Sequence, residues 1–421
     1  MNFSRGFSLN TLCTGLVFVL GLANQWLLAN HLLDKAEYGR LGLWTNAAMI
    51  GAMVCGEWVR RGSTYVVGKE GAGAEARDNA VIYCLLLLAV AMGLAYVGAG
   101  FAGRLLGSEA VAYWPLLAVL PGLFVLQRLG MSILLGADRI QVYVMIPVLF
   151  IAVYLAGNIG LWLLGAEDLA AVLSLFAGAA GVAGLVAFAA LWNTGRFTGG
   201  DGQVMHRTFS VGARGAVSVV LVFLLLKVDV FLIDYFLGNA AAGSYRIATV
   251  FADMMQRLPD VAGAVLLAKV VRGEDKSLLS LRVAQGILVF SLVAALILLV
   301  GGQMLIGLFF PAFPEAYEPL VWMLPGLLFL GFGSVCNTKL AGQGYPAITL
   351  WAAALALVIN ILLNFIFIPM LGLKGAALAT SMAYAIWSLV IGRGFLRSEG
   401  LAWGDLLRVW ELASARGQKS P

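Results

Sequence analysis

The chain has 421 residues, of which 61% are hydrophobic and only 12% charged, about half the charge of a typical soluble domain. A mean hydropathy of +0.93 leaves too little polar surface to cover a soluble globule, so lipid is the solvent for most of the chain. Closed barrels are excluded too, because apolar residues run on for about twenty positions where membrane strands would alternate.

The apolar runs predict twelve membrane helices, over residues 9–30, 41–67, 80–100, 111–135, 142–164 and 169–191, then 211–237, 243–268, 281–310, 320–340, 346–370 and 375–395. The first begins after Arg5 like a signal peptide, but its run is long, lacks a small-residue cleavage site and precedes another span, so it is read as uncleaved. With the N-terminus in the cytoplasm, 19 of the 27 Lys and Arg fall on that side, and only Lys35, Arg40, Arg104 and Lys374 on the other. That bias predicts both termini inside a plasma (inner) membrane and an even number of spans. Beyond Phe395, Trp403, Leu406, Leu407 and Trp410 recur at i, i+3, i+4, i+7, which predicts a cytoplasmic interfacial helix.

The two halves repeat at an offset of 204 residues: Tyr113, Pro115, Leu116, Leu120, Pro121, Gly122, Leu123 and Leu126 match Tyr317, Pro319, Leu320, Leu324, Pro325, Gly326, Leu327 and Leu330. Leu33, Ala36 and Gly39 match Leu237, Ala240 and Gly243 at that same offset. Six spans per repeat is even, so the halves should be parallel and related by an axis along the membrane normal. The expected organisation is an all-α polytopic membrane protein of twelve transmembrane helices in two parallel six-helix repeats around a central cavity. The N-terminal bundle covers 1–204, the C-terminal bundle 205–395, and the interfacial helix and tail 396–421.

A charge at mid-bilayer costs about 2.5 to 3.5 kcal/mol by insertion scales, so each should face a wet cavity or a partner. The eighth span concentrates them: Arg246, Asp253, Arg257 and Asp260 lie within about 60° of arc, and Asp253 and Arg257, four residues apart, can pair directly. In the seventh span Lys227 and Asp234 share a face while Asp229 points nearly opposite; Arg128 lies in the fourth span. Glu57, Arg60, Arg61, Lys339 and Lys374 read as residues snorkelling at helix ends, and Asn158, Asn360 and Asn364 as helix-packing polar groups. The four cysteines are dispersed in apolar runs and His31 and His206 are the only histidines, so no metal, redox or other cofactor is expected. No phosphate-binding loop and no hydrolase motif occurs, so the chain reads as a non-enzyme.

Three stretches carry a family resemblance: EYGRLGLWTNA at 37–47, KVDVFLIDYFLGNAAAGSYRIAT at 227–249 and LNFIFIPMLGLKGAALATSMAY at 363–384. They resemble the polysaccharide-transporter branch of the multidrug/oligosaccharidyl-lipid/polysaccharide (MOP) superfamily, the Wzx-like lipid-linked oligosaccharide flippases. Asp229, Gly238, Gly243, Tyr245 and Ala248, then Asn364, Pro369, Gly372, Gly375, Ala376, Ala377 and Thr380, stand at recurrent positions of that family. The resemblance implies a flippase carrying an undecaprenyl-pyrophosphate-linked glycan from inner to outer leaflet by alternating access, coupled to a proton or sodium gradient. Its partners would be membrane lipids and glycosyltransferases or a polymerase, with no nucleic acid. Arg246, Arg257, Lys227 and Arg128 would then bind the substrate, and Asp253, Asp229 and Asp260 would couple the ion. The alternatives are a multidrug/organic-cation antiporter of the same superfamily and a non-catalytic scaffold of a glycan-assembly complex.

Overall fold

A computed structural model describes residues 3–98, 104, 110–192, 197–271, 277–344 and 346–406. Among them are twelve long α-helices: α1 (Phe3–Leu27), α2 (Lys35–Tyr65), α3 (Gly73–Val97), α4 (Ala110–Gly136), α5 (Ile140–Leu164), α6 (Leu169–Ala190), α7 (Gly202–Leu237), α8 (Asn239–Val271), α9 (Ser277–Phe309), α10 (Tyr317–Gly342), α11 (Ala347–Leu371) and α12 (Leu373–Ser398). Ten are long and apolar enough to cross a membrane. The two that fall short are α2 and α8, the second and eighth helices; α8 is the span in which the sequence concentrates charge, and α2 carries Glu57, Arg60 and Arg61.

Local sequence sets the ends. Asp34 and Glu37 form a reciprocal capping box at α2, with Glu37 N–H donating to Asp34 Oδ1 at 2.7 Å and Asp34 N–H donating to Glu37 Oε2 at 3.2 Å. Asp201 caps α7 by accepting from the N–H groups of Gln203 and Val204. Gly238 alone separates α7 from α8, and its φ of 83° supplies a left-handed turn that a side chain would strain. α7 begins nine residues before the apolar run, because Gln203, His206 and Arg207 continue it as a polar first turn. The interfacial helix expected near the C-terminus falls mostly at 407–421, outside the described residues, and Trp403–Leu406 form a single 3-10 turn.

The chain divides into two compact units, 1–220 and 221–421. In the first, α4 packs on α2, α3 and α6, and α5 packs on α1 and α6. In the second, α10 packs on α8, α9 and α12, and α11 on α12. Four pairings thus recur six helices later, and α2/α8, α3/α9 and α6/α12 begin at the 204-residue offset. The duplicated, all-helical architecture expected from sequence is the observed one.

Each repeat keeps prolines inside a helix, Pro121 in α4 and Pro325 in α10. In α10 a neighbouring hydroxyl enters the helix ladder: Gly326 N–H donates to Ser381 Oγ at 2.9 Å, and Ser381 Oγ–H donates to the Trp322 carbonyl at 2.7 Å. Gly326 permits the approach, since a Cβ there would lie 2.4 Å from Ser381 Cα.

Candidate functional site

Within the second unit, α7, α8, α10 and α12 enclose a cavity of about 350 Å³, lined among others by Lys227, Thr249, Asp253, Gln256, Arg257, Ser334, Tyr384 and Trp387. Lys227, Asp253 and Gln256 reach it because helical spacing sets α8 residues three and four apart on one face and Lys227 stands on the facing stripe of α7. The Lys227 ammonium lies 3.7 Å from Asp253 Oδ2, with 58% of the Asp253 side chain still exposed. Asp253 therefore pairs with Lys227, and the direct pair with Arg257 expected from their spacing is not formed; Arg257 is exposed on the cavity wall. Gln256 is held by its Nε2, which donates to the Leu327 carbonyl at 3.0 Å. Among the described residues, two cations thus face one carboxylate in a lining of mixed polarity.

Asp229 stands apart from this cavity. It is 1% exposed and accepts three hydrogen bonds, from Tyr245 Oη at 2.6 Å, Thr380 Oγ1 at 3.1 Å and the Val230 N–H at 2.9 Å. No ion pair to Asp229 occurs among the described residues. A carboxylate satisfied by hydroxyl donors is well placed to take up or release a small cation, because hydroxyls rotate to donate or accept as its charge changes. Arg246 is half-buried in α8. Asp260 lies in α8, and its side chain is outside the described set.

Arg128, in α4 of the first unit, belongs to a different cluster. Its Nη2 lies 3.0 Å from Glu57 Oε2, and Glu57 also accepts from Arg60 at 2.5 and 2.8 Å and from Arg61 at 2.8 Å. Glu57 is wholly buried, so the snorkelling read from sequence is corrected: three guanidiniums converge on one carboxylate because i, i+3 and i, i+4 spacing puts Arg60 and Arg61 over it. Lys339 is likewise buried, 3.5 Å from Glu399. Asn158 donates to Asn24 Oδ1 at 2.8 Å, a buried polar pair between α5 and α1, and Asn364 donates to Asn360 Oδ1 at 3.0 Å within α11. Sequence reasoning gave no role to Tyr245, Thr380, Gln256 or Tyr384; Tyr245 and Thr380 were legible only as recurrent family positions. No cluster of three His, Cys, Asp or Glu that could hold a metal occurs among the described residues.

No family model matches the sequence. An uncharacterized membrane protein of Methanocaldococcus jannaschii is 26% identical over 153 residues, which is 36% of this chain and 37% of that protein. The chain thus spans little more than a third of that relative's length. Among solved structures, the chain is similar to an inward-facing multidrug resistance MATE family transporter of the MOP superfamily, with a TM-score of 0.71, 16% identity and 96% of each chain covered. It is similar to the lipid II flippase MurJ in an inward closed conformation, with a TM-score of 0.73, 16% identity, and 95% of this chain and 89% of that one covered. A MOP superfamily transporter from Pyrococcus furiosus, whose binding pocket is described as reversed in polarity, gives a TM-score of 0.66 at 14% identity over 94% of this chain and 96% of that one. The fold is therefore that of the multi-pass MOP-type transporters and flippases.

Proposed function

We propose that the chain is a flippase that moves an undecaprenyl-pyrophosphate-linked oligosaccharide from the inner to the outer leaflet, for surface polysaccharide biosynthesis, by cation-coupled alternating access. The observation that carries this reading is the sign of the intramembrane charge. Among the described residues, Lys227 and Arg257 face one carboxylate, Asp253, in the cavity, and Arg60, Arg61 and Arg128 share one, Glu57. Guanidinium groups grip phosphate oxygens through paired N–H donors, and a surplus of them in low dielectric favours an anionic headgroup over an organic cation. In this reading Arg257, Lys227 and Arg246 bind the pyrophosphate-bearing head, while Arg128, paired with Glu57 in the first unit, is left out of that site. Asp229, held by neutral donors and in no ion pair among the described residues, couples the proton or sodium ion, with Asp253 and Asp260 as further acids on the route. The membrane is the cell's inner membrane with both termini cytoplasmic, and glycosyltransferases or a polymerase supply and consume the substrate.

The exposed Asp253 carboxylate favours the second reading, an antiporter of organic cations. Reconstitution separates the two. Proteoliposomes given a proton or sodium gradient should translocate an undecaprenyl-pyrophosphate-linked oligosaccharide and leave ethidium gradients undisturbed. Ethidium extrusion without glycan translocation would replace the flippase by the drug antiporter, and inactivity towards both by folded protein would leave the scaffold.

A further inference from the structure

The 204-residue repeat gives each charged group of the second unit's site a matching position in the first unit. Lys227, Asp229, Asp253 and Arg257 correspond to Ala23, Gln25, Met49 and Met53, and Thr380 corresponds to Phe176. None of these counterparts is charged, and of the five only Gln25 is polar.

Gln25 also keeps the partner that Asp229 has. It stands eight residues before Leu33, as Asp229 stands eight before the matching Leu237, so each lies about two helical turns from the connection to the next helix. From that next helix, α2, Tyr38 Oη donates to Gln25 Oε1 at 2.7 Å. In the second unit the next helix, α8, supplies Tyr245, whose Oη donates to Asp229 Oδ2 at 2.6 Å. Both tyrosines are wholly buried, whereas Gln25 is half-buried. Tyr38 comes three residues earlier in α2 than Tyr245 does in α8, a shift that at helical spacing leaves it on the same face. A buried phenol thus meets a carboxamide in one unit and a carboxyl group in the other.

The chemistry separates the two. A carboxylate takes up a proton or binds sodium through its negative charge. A carboxamide does neither, and its shape and neutral carbonyl acceptor are those of a carboxylic acid already protonated. Burial offers the first unit no substitute: among the described residues the buried acids are Glu57, Asp78 and Asp229, and Glu57 and Asp78 are held by arginines. We propose that Gln25 and Tyr38 form a permanently neutral copy of the Asp229–Tyr245 cation site, so that the first unit takes up no coupling ion and gains a cation site when Gln25 is made acidic. The proposal rests on the reading of Asp229 as the coupling acid.

Infrared difference spectra of the purified full-length protein in phosphatidylglycerol vesicles, recorded on lowering the pH and on adding sodium chloride, read the carboxyl groups directly. The wild type should show a response that Asp229→Asn removes. Gln25→Glu should raise its amplitude about two-fold, and Gln25→Glu combined with Asp229→Asn should restore about the wild-type amplitude, one acid replacing the other. Adding Tyr38→Phe to that double variant should shift the restored band, because the hydroxyl that donates to the new carboxyl group is gone. Any one of these results would overturn the proposal: no Asp229-dependent response in the wild type, no response gained with Gln25→Glu, a restored band indifferent to Tyr38→Phe, or no folded protein from Gln25→Glu, since a copy of the site must accommodate the acid that the working site holds. Gradient-driven glycan flipping is measured on the same proteins. If Asp229→Asn flips like the wild type, the coupling role of Asp229 falls, while the infrared spectra still decide whether Gln25 is its neutral copy.

Discussion

The two units hold their intramembrane charges in opposite ways. In the first, Glu57 is sealed from solvent and three arginines close over it, each with a fifth to a third of its side chain exposed. In the second, Asp253 stays largely open opposite Lys227, and the sealed acid, Asp229, is held by hydroxyls and a backbone N–H. A closed hub of opposite charges fixes helices, since each member is costly to leave alone. An open pair at 3.7 Å is available to a ligand. The same helical architecture thus carries a brace in one copy and an accessible charged cavity in the other.

The contrast can be broken most forcefully at the hub. Glu57→Gln leaves three guanidiniums crowded without their carboxylate, and should cost about 3 kcal/mol or more, read as a large fall in unfolding temperature and in yield from the membrane. Near-normal stability of that variant would remove the brace. Asp229→Asn should cost only about 1 kcal/mol, because an amide keeps most of the hydrogen bonds, yet reduce gradient-driven flipping to background. Retained gradient dependence in that variant would shift ion coupling to Asp253. Arg257→Ala, at an exposed position, should change stability by no more than about 0.5 kcal/mol while cutting glycan translocation about ten-fold, the scale of one charge-assisted hydrogen bond. The smallest effect is expected for the open pair: a double-mutant cycle of Lys227→Met and Asp253→Asn should give a coupling energy below about 1 kcal/mol. A coupling of several kcal/mol would make that pair a second brace and erase the distinction between the units.

What the sequence disclosed follows from how far apart the deciding residues lie. Apolar runs are local, and the 204-residue offset needs only the chain itself, so the twelve helices and their duplication were readable. Glu57, Arg60 and Arg61 were readable as neighbours on one helix face. Their fourth partner, Arg128, is 71 positions away, and without it the trio looked like charges at a helix end. Asp229 is similar: Tyr245 lies 16 positions on and Thr380 151 positions on. Asp253 and Arg257 show the reverse error, because correct spacing permitted a pair that the approach of Lys227 from α7 replaced.

The hydroxyl of Ser381, spliced between Gly326 and Trp322 beside Pro325, has a counterpart position 204 residues earlier, where the chain has Ala177. No hydroxyl can enter the α4 ladder from that site. The two proline-bearing helices therefore differ in mechanical compliance: α10 is pinned by a neighbour through a two-bond bridge, and α4 is not pinned from the matching residue. Bending α10 at Pro325 means tearing Ser381 away in a medium with no water to replace it, so that hinge is stiff and coupled to α12. In α4, flexure at Pro121 carries no such toll, and the first repeat should exchange its amide hydrogens around residue 122 faster than the second does around 326.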